Sequence, residues 1–162
     1  VIFSSGGKLF RIKQYVFGNF CLRCLRCCRY SCNPSIWAAN ILEEEKERLN
    51  LQKIELVPYR ESYICRFLKP ESNLCQIYAQ RPLECRLYPL LINRSGRKIF
   101  LSLDLNCPAT LGKIDSKKFK RYLNYLIRYF QKPSVSTILS RNRRLFSAYP
   151  VDEILNLAEL NI

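Results

Sequence analysis

Cys21, Cys24, Cys27 and Cys28 stand within eight consecutive residues, spaced C-x2-C-x2-C-C. Two residues between cysteines is the spacing at which a tight turn aims both sulfurs at one metal ion. Arg23, Arg26 and Arg29 punctuate the run. A nearby positive charge favours the thiolate, which is the form that binds metal. The rival readings are a buried cysteine-rich turn and a disulfide knot. Packing does not require four cysteines this close, so the run points to metal ligation.

Five more cysteines follow, at Cys32, Cys65, Cys75, Cys85 and Cys107. The chain has no histidine, which excludes Ser-His and Cys-His catalysis and any imidazole-containing metal site. It also lacks a glycine-rich phosphate loop. Ligands must therefore be thiolates, with at most a carboxylate beside them. An all-sulfur set suits zinc or an iron–sulfur cluster and disfavours calcium and magnesium. Cys32 lies four residues beyond the main run, and a small buried side chain is the expectation for it.

At 162 residues the chain fits a single domain, 1–162, and its 48% hydrophobic content can build a core. No apolar run is long enough to cross a membrane. Residues 1–7 lack the basic and apolar regions of a signal peptide, so the expectation is a cytoplasmic protein with reduced thiols. The formal net charge is +14, a balance that attracts nucleic acid but also suits a soluble lysine- and arginine-rich surface.

The elements that must position the sulfurs can be read in order. Residues 8–16 alternate, with Phe10, Ile12 and Val16 on one side, and predict a strand entering the cysteine run, paired with residues 1–3. Asn33-Pro34 predicts a helix start, running to about residue 50, with Glu43, Glu44, Glu45 and Glu47 on its wet face. Residues 52–57 read as a strand. Residues 63–68 and 74–78 read as a hairpin that turns Cys65 and Cys75 to one face. Arg81-Pro82 opens a short helical turn carrying Cys85 and closing at Pro89. A second hairpin, 90–93 with 98–103, delivers Cys107 back towards the others. Phe119, Tyr122, Leu123, Leu126, Ile127 and Phe130 then mark an amphipathic helix over 116–131. Further helices are expected after Ser134 and from Pro150. The fold class is α+β, with short antiparallel strands around a cysteine cluster at 20–108 and C-terminal helices over 115–162.

Taken together, the opening run, Cys65-Arg66-Phe67-Leu68, Cys75-Gln76-Ile77-Tyr78 and Arg81-Pro82-Leu83-Glu84-Cys85-Arg86-Leu87-Tyr88-Pro89 resemble the YkgJ-type cysteine-cluster family. Its members are described as zinc- or iron-chelating domains, and the resemblance covers roughly residues 20–108. It implies Cys21, Cys24, Cys27, Cys28, Cys65, Cys75 and Cys85 as metal ligands, with Cys107 as an eighth. The chain departs from the family at Leu25, where glycine is usual. Adjacent Cys27 and Cys28 point in different directions, which implies two neighbouring sites or one cluster with some cysteines in support.

The leading functional expectation is a metal-binding protein holding zinc or an iron–sulfur cluster. Two alternatives stand beside it. One is a zinc-stabilised nucleic-acid-binding module that uses Lys117, Lys118 and Arg121 of the 116–131 helix. The other is a cluster-dependent redox enzyme.

Overall fold

The computed structural model describes residues 10–16 and 19–162, so the strand pairing expected for residues 1–3 lies outside them. In chain order come α1 (Asn19–Cys24), β1 (Arg29–Tyr30), α2 (Glu43–Leu49), β2 (Leu56–Tyr59), β3 (Ser62–Cys65), β4 (Leu68–Lys69) and β5 (Leu74–Cys75). They are followed by α3 (Leu83–Leu87), β6 (Leu90–Ser95), β7 (Lys98–Asp104), α4 (Lys117–Phe130), α5 (Pro133–Arg141) and β8 (Ile154–Leu160). All the strand pairs are antiparallel, in sheets ordered β1-β3-β2, β4-β5 and β6-β7-β8. The class is α+β, with helices through 117–141. Among the described residues no helix is long and apolar enough to cross a membrane.

The larger core lies between the β6-β7-β8 sheet and the two long helices. Alternation in β7 sends Ile99, Leu101 and Leu103 inward, where all three are buried. The β6–β7 hairpin turns at Gly96, whose φ of 59° lies in the left-handed region that glycine enters freely. Ser116 caps α4 by accepting a hydrogen bond from Phe119 N at 3.1 Å. Phe119, Leu126 and Phe130, on one helical face, are buried against the sheet. Each contributes roughly 1.5–3 kcal/mol on burial.

The smaller core sits under the cysteine region, and among the described residues its buried members are Ile41, Ile54, Ile64, Cys65 and Leu68. It joins the three-stranded sheet to α2 and to the β4–β5 pair.

Several elements depart from the sequence reading. The helix expected from Asn33 begins only at Glu43. The stretch before it spends its polar groups on tertiary partners: Asn40 N donates to the buried Glu84 carboxylate at 2.7 Å. The expected wet face of α2 is also breached by Glu45, which is fully buried. Residues 10–16 form no strand. They lie along α4 instead, where Tyr122 Oη donates to Lys13 O at 2.6 Å and Lys13 N donates to Tyr125 Oη at 3.1 Å. The helix expected from Pro150 is replaced by β8, which fills the open edge of β7. Asn156 fixes it there, its side-chain carbonyl accepting from Ser102 Oγ at 2.6 Å and Asn93 Nδ2 at 3.1 Å. Finally, β3 pairs with β1 and β2, while Cys75 sits on the separate β4–β5 pair, so Cys65 and Cys75 do not share one hairpin.

Candidate metal centre

Cys21 and Cys24 are three residues apart on α1 and so share a helical face. Leu25 ends that helix in the left-handed region, at φ 56°. This is where a helix most readily stops with glycine, since any Cβ there crowds the backbone. Asn73, on the β4–β5 turn, then secures the helix end by donating to Cys21 O at 3.0 Å and Leu22 O at 3.1 Å. The same side chain accepts from Arg29 Nη2 at 3.2 Å, which ties α1 to β1. Leu25 is 55% exposed and loses little packing if shortened. Leu25→Gly is therefore expected to raise the stability of the metal-loaded protein by about 1 kcal/mol. Denaturant unfolding measures this, and an unchanged or lower midpoint would show that the Leu25 side chain outweighs its backbone strain.

The chain reverses through Cys27 and Cys28, the latter at φ 61°. Cys65 N donates to Cys28 O at 3.0 Å, extending the β1–β3 pairing and setting these two cysteines opposite one another. The two thiols stand beside one another, and their mutual influence pushes Cys28 well above the usual thiol range and Cys65 down to about 7.

The thiols fall into two neighbourhoods. Although Cys27 is exposed as a residue, desolvation of its thiol pushes it up to about 12, helped by Cys107, Cys21 and Cys24. Burial raises Cys21 as well, and again Cys107 and Cys24 are the thiols beside it. Cys65, Cys85 and adjacent Cys27 are the thiols that act on Cys28. Burial raises Cys85 strongly, with Cys65 and Cys75 contributing. Burial likewise raises Cys75, whose thiol neighbour is Cys65. Electrostatic influence links Cys21, Cys24 and Cys107 to Cys27, and Cys65 and Cys85 to Cys28, with Cys27 acting on Cys28 as well and Cys75 on Cys85. Among the described residues no three Cys, Asp or Glu side chains have closed into a ligand shell. The sulfurs are gathered as neighbours, and an ion would have to draw each group together.

At three turns backbone N–H groups oppose the rise that burial imposes on a thiol, and of the three only Cys65 ends below the usual range. Backbone N–H groups two residues on point back at the sulfur, from Phe67 to Cys65, from Ile77 to Cys75 and from Ala109 to Cys107. Leu68 adds a second N–H at Cys65. Such bonds stabilise the charged form of the thiol and orient it. An all-sulfur donor set with inward-facing N–H groups therefore fits zinc or iron.

Of the nearby carboxylates, Asp104 has both oxygens engaged, while Glu84 Oε1 is buried without a partner. Asp104 is buried, accepting from Tyr88 Oη at 2.7 Å and Asn106 N at 2.8 Å. Tyr88 stands beside Cys27, so this pair borders the first group of sulfurs. Glu84 is pushed up to about 7 by burial and accepts from Asn40. Sequence reasoning missed Asn73, Tyr88 and Asp104, although Tyr88 belongs to the quoted Cys85 motif. Cys32 is exposed rather than buried, and its thiol donates to Pro34 O at 3.3 Å, away from either group.

A family model described as "CxxCxxCC: Putative zinc- or iron-chelating domain" matches residues 20–108, more than half of the chain. No curated protein and no solved structure matches it.

Proposed function

The chain belongs to the CxxCxxCC family of zinc- or iron-chelating domains, and from that membership we propose that it holds metal in two four-thiolate centres. Cys21, Cys24, Cys27 and Cys107 supply one, and Cys28, Cys65, Cys75 and Cys85 supply the other. What supports this reading is that Cys107, Cys21 and Cys24 act on Cys27, whereas Cys65 and Cys85 act on Cys28 ahead of adjacent Cys27. Four thiolates per centre is the closed set that zinc takes in structural sites and that iron also accepts. A closed set leaves no position for substrate, so the function proposed is chelation that cross-links the fold. When bound, the metal supplies that cross-link and keeps its sulfurs ionised. The cross-link would join α1 to the turn after β7, and β1 and β3 to β5 and α3.

Metal counting tests the proposal. Anaerobically purified protein is expected to carry about two ions per chain on the four-thiolate stoichiometry. Cys24→Ser and Cys75→Ser should each lose about half of them, and Cys32→Ser none. Iron gives visible absorption and zinc does not, so a spectrum on the same samples assigns the metal. Complete loss in both single variants would mean one shared centre. A loss in Cys32→Ser equal to that in Cys24→Ser would make Cys32 a ligand.

A further inference from the structure

Between Asp115 and Asp152 the chain carries nine lysine and arginine residues and no carboxylate. Lys117, Arg121, Asn124 and Arg128, spaced four and three residues apart, form one exposed stripe along α4, and Lys132 continues it. Among the described residues the only ion pair of this helix is Lys120 with Asp115, both exposed, so the stripe itself is unpaired. The first turn of α4 holds Lys117 and Lys118 with no acidic residue. A helix N-terminus favours negative charge, so these lysines sit against the dipole. An ordinary solvated face gains nothing by that arrangement, whereas an anionic ligand would offset it.

The stripe is one wall of an open groove lined by Arg121, Asn124, Tyr125, Arg128, Tyr129 and Lys132. Its floor is aromatic. The rings of Tyr125 and Tyr129 lie 6.3 Å apart, and Lys132 Nζ stands 5.3 Å from the Tyr129 ring. Hydrogen bonds from Tyr122 and to Tyr125 hold residues 11–13 against the helix and bring exposed Arg11 and Lys13 alongside.

We propose that this groove binds the phosphate backbone of single-stranded nucleic acid. From Lys117 to Lys132 the stripe runs about 22 Å at the helical rise, enough to meet several successive phosphates. The tyrosines offer ring faces beside that track, the pairing of charge and stacking surface that single strands use. Duplex DNA is disfavoured by shape. A lone helix, about 10–12 Å across, already fills a major groove about 12 Å wide. Here residues 11–13 lie beside the helix and broaden it. The proposal does not depend on which metal the cysteines hold.

Fluorescence anisotropy on the full-length, metal-loaded protein tests it, using short labelled single-stranded RNA, single-stranded DNA of the same sequence, the matching duplex and a polyglutamate peptide. Single strands are expected to bind more tightly than the other two probes, with affinity falling steeply as salt rises. A tighter RNA arm assigns the ligand as RNA, and equal RNA and DNA arms assign recognition to the backbone alone. The triple variant K117E/R121E/R128E should weaken binding at least about tenfold and reduce the log–log salt slope by about 2, at roughly 0.7 per lost contact. An equal charge reversal elsewhere, K53E/K69E/R97E, should leave that slope near the parent value. If the triple variant does not fold, R121Q/R128Q carries the test, with a slope reduction of about 1.4. Equal losses in both reversal sets, equal affinity for polyglutamate or preference for the duplex would each overturn the proposal.

Discussion

Chelating the metal from reduced protein is expected to melt β1, β2, β3, β4 and β5 while β6, β7, β8, α4 and α5 stay folded. The two cores differ in what they have to spend. The smaller fully buries four aliphatic side chains and Cys65, far fewer than the larger. Metal binding adds to it directly, since no preformed site exists in the unfolded chain and binding free energy becomes folding free energy. The larger core needs no such help. It buries Phe119, Leu126 and Phe130 of α4 against Ile99, Leu101 and Leu103 of β7. Hydrogen exchange on loaded and stripped protein measures the difference. Amides of Ile64 and Cys65 should lose their protection on stripping, and those of Leu101 and Leu103 should keep theirs. Equal protection of β3 in both forms would show that the cysteines do not hold a structural metal.

Replacing Glu45 with alanine should cost about 1–3 kcal/mol for each of the two buried N–H groups that it leaves without an acceptor. Glu45 is fully buried, and its carboxylate accepts from Leu83 N at 2.9 Å and from Leu42 N at 3.3 Å. It therefore closes the first turn of α2 and grips the start of α3, the helix that carries Cys85. Arg48 Nη2 lies 3.6 Å away, and both it and Arg48 Nε are buried without a hydrogen-bond partner. Burial lifts the Glu45 carboxyl above its ordinary range, and the two N–H groups work against that. Glu45→Gln keeps a side-chain oxygen in place and should lose clearly less. Thermal or urea unfolding of the loaded protein separates the variants. A cost for alanine no greater than for glutamine would mean that the Leu83 contact is not what fixes α3.

The sequence made α4 legible because six apolar residues repeat with helical spacing and a serine caps them. The β6–β7 hairpin was legible for a similar reason, since a glycine turn separates two apolar runs. In these elements local preference and tertiary burial agree. They part company at Glu43, Glu44, Glu45 and Glu47, which read as one wet face although Glu45 is inside. Leu83, thirty-eight residues away, is the partner of that carboxylate that lies outside its own helix and cap. The C-terminal strand was hidden in the same way. Val151, Ile154, Leu155 and Ala158 have helical spacing, but Val151 is 89% exposed and the open edge of β7 sets the conformation. Within the cysteine region, spacing singled out the run from Cys21 to Cys28, and the family resemblance implied the remaining sulfurs. Spacing carried no information on which distant thiol each would meet, because β1–β3 pairing and the return of Cys107 decide that.

The place of β8 in the larger sheet has a consequence for synthesis. Cys107 leaves the ribosome roughly fifty residues before β8, a delay of about 3–10 s at ordinary translation rates. Until residues 154–160 emerge, β7 has one edge without its neighbour. The nascent chain thus displays every cysteine of both groups while its larger hydrophobic core is still unfinished. Metal captured during that interval meets thiols that are not yet enclosed, and the last strand then closes over a chain whose first two thirds are already tethered.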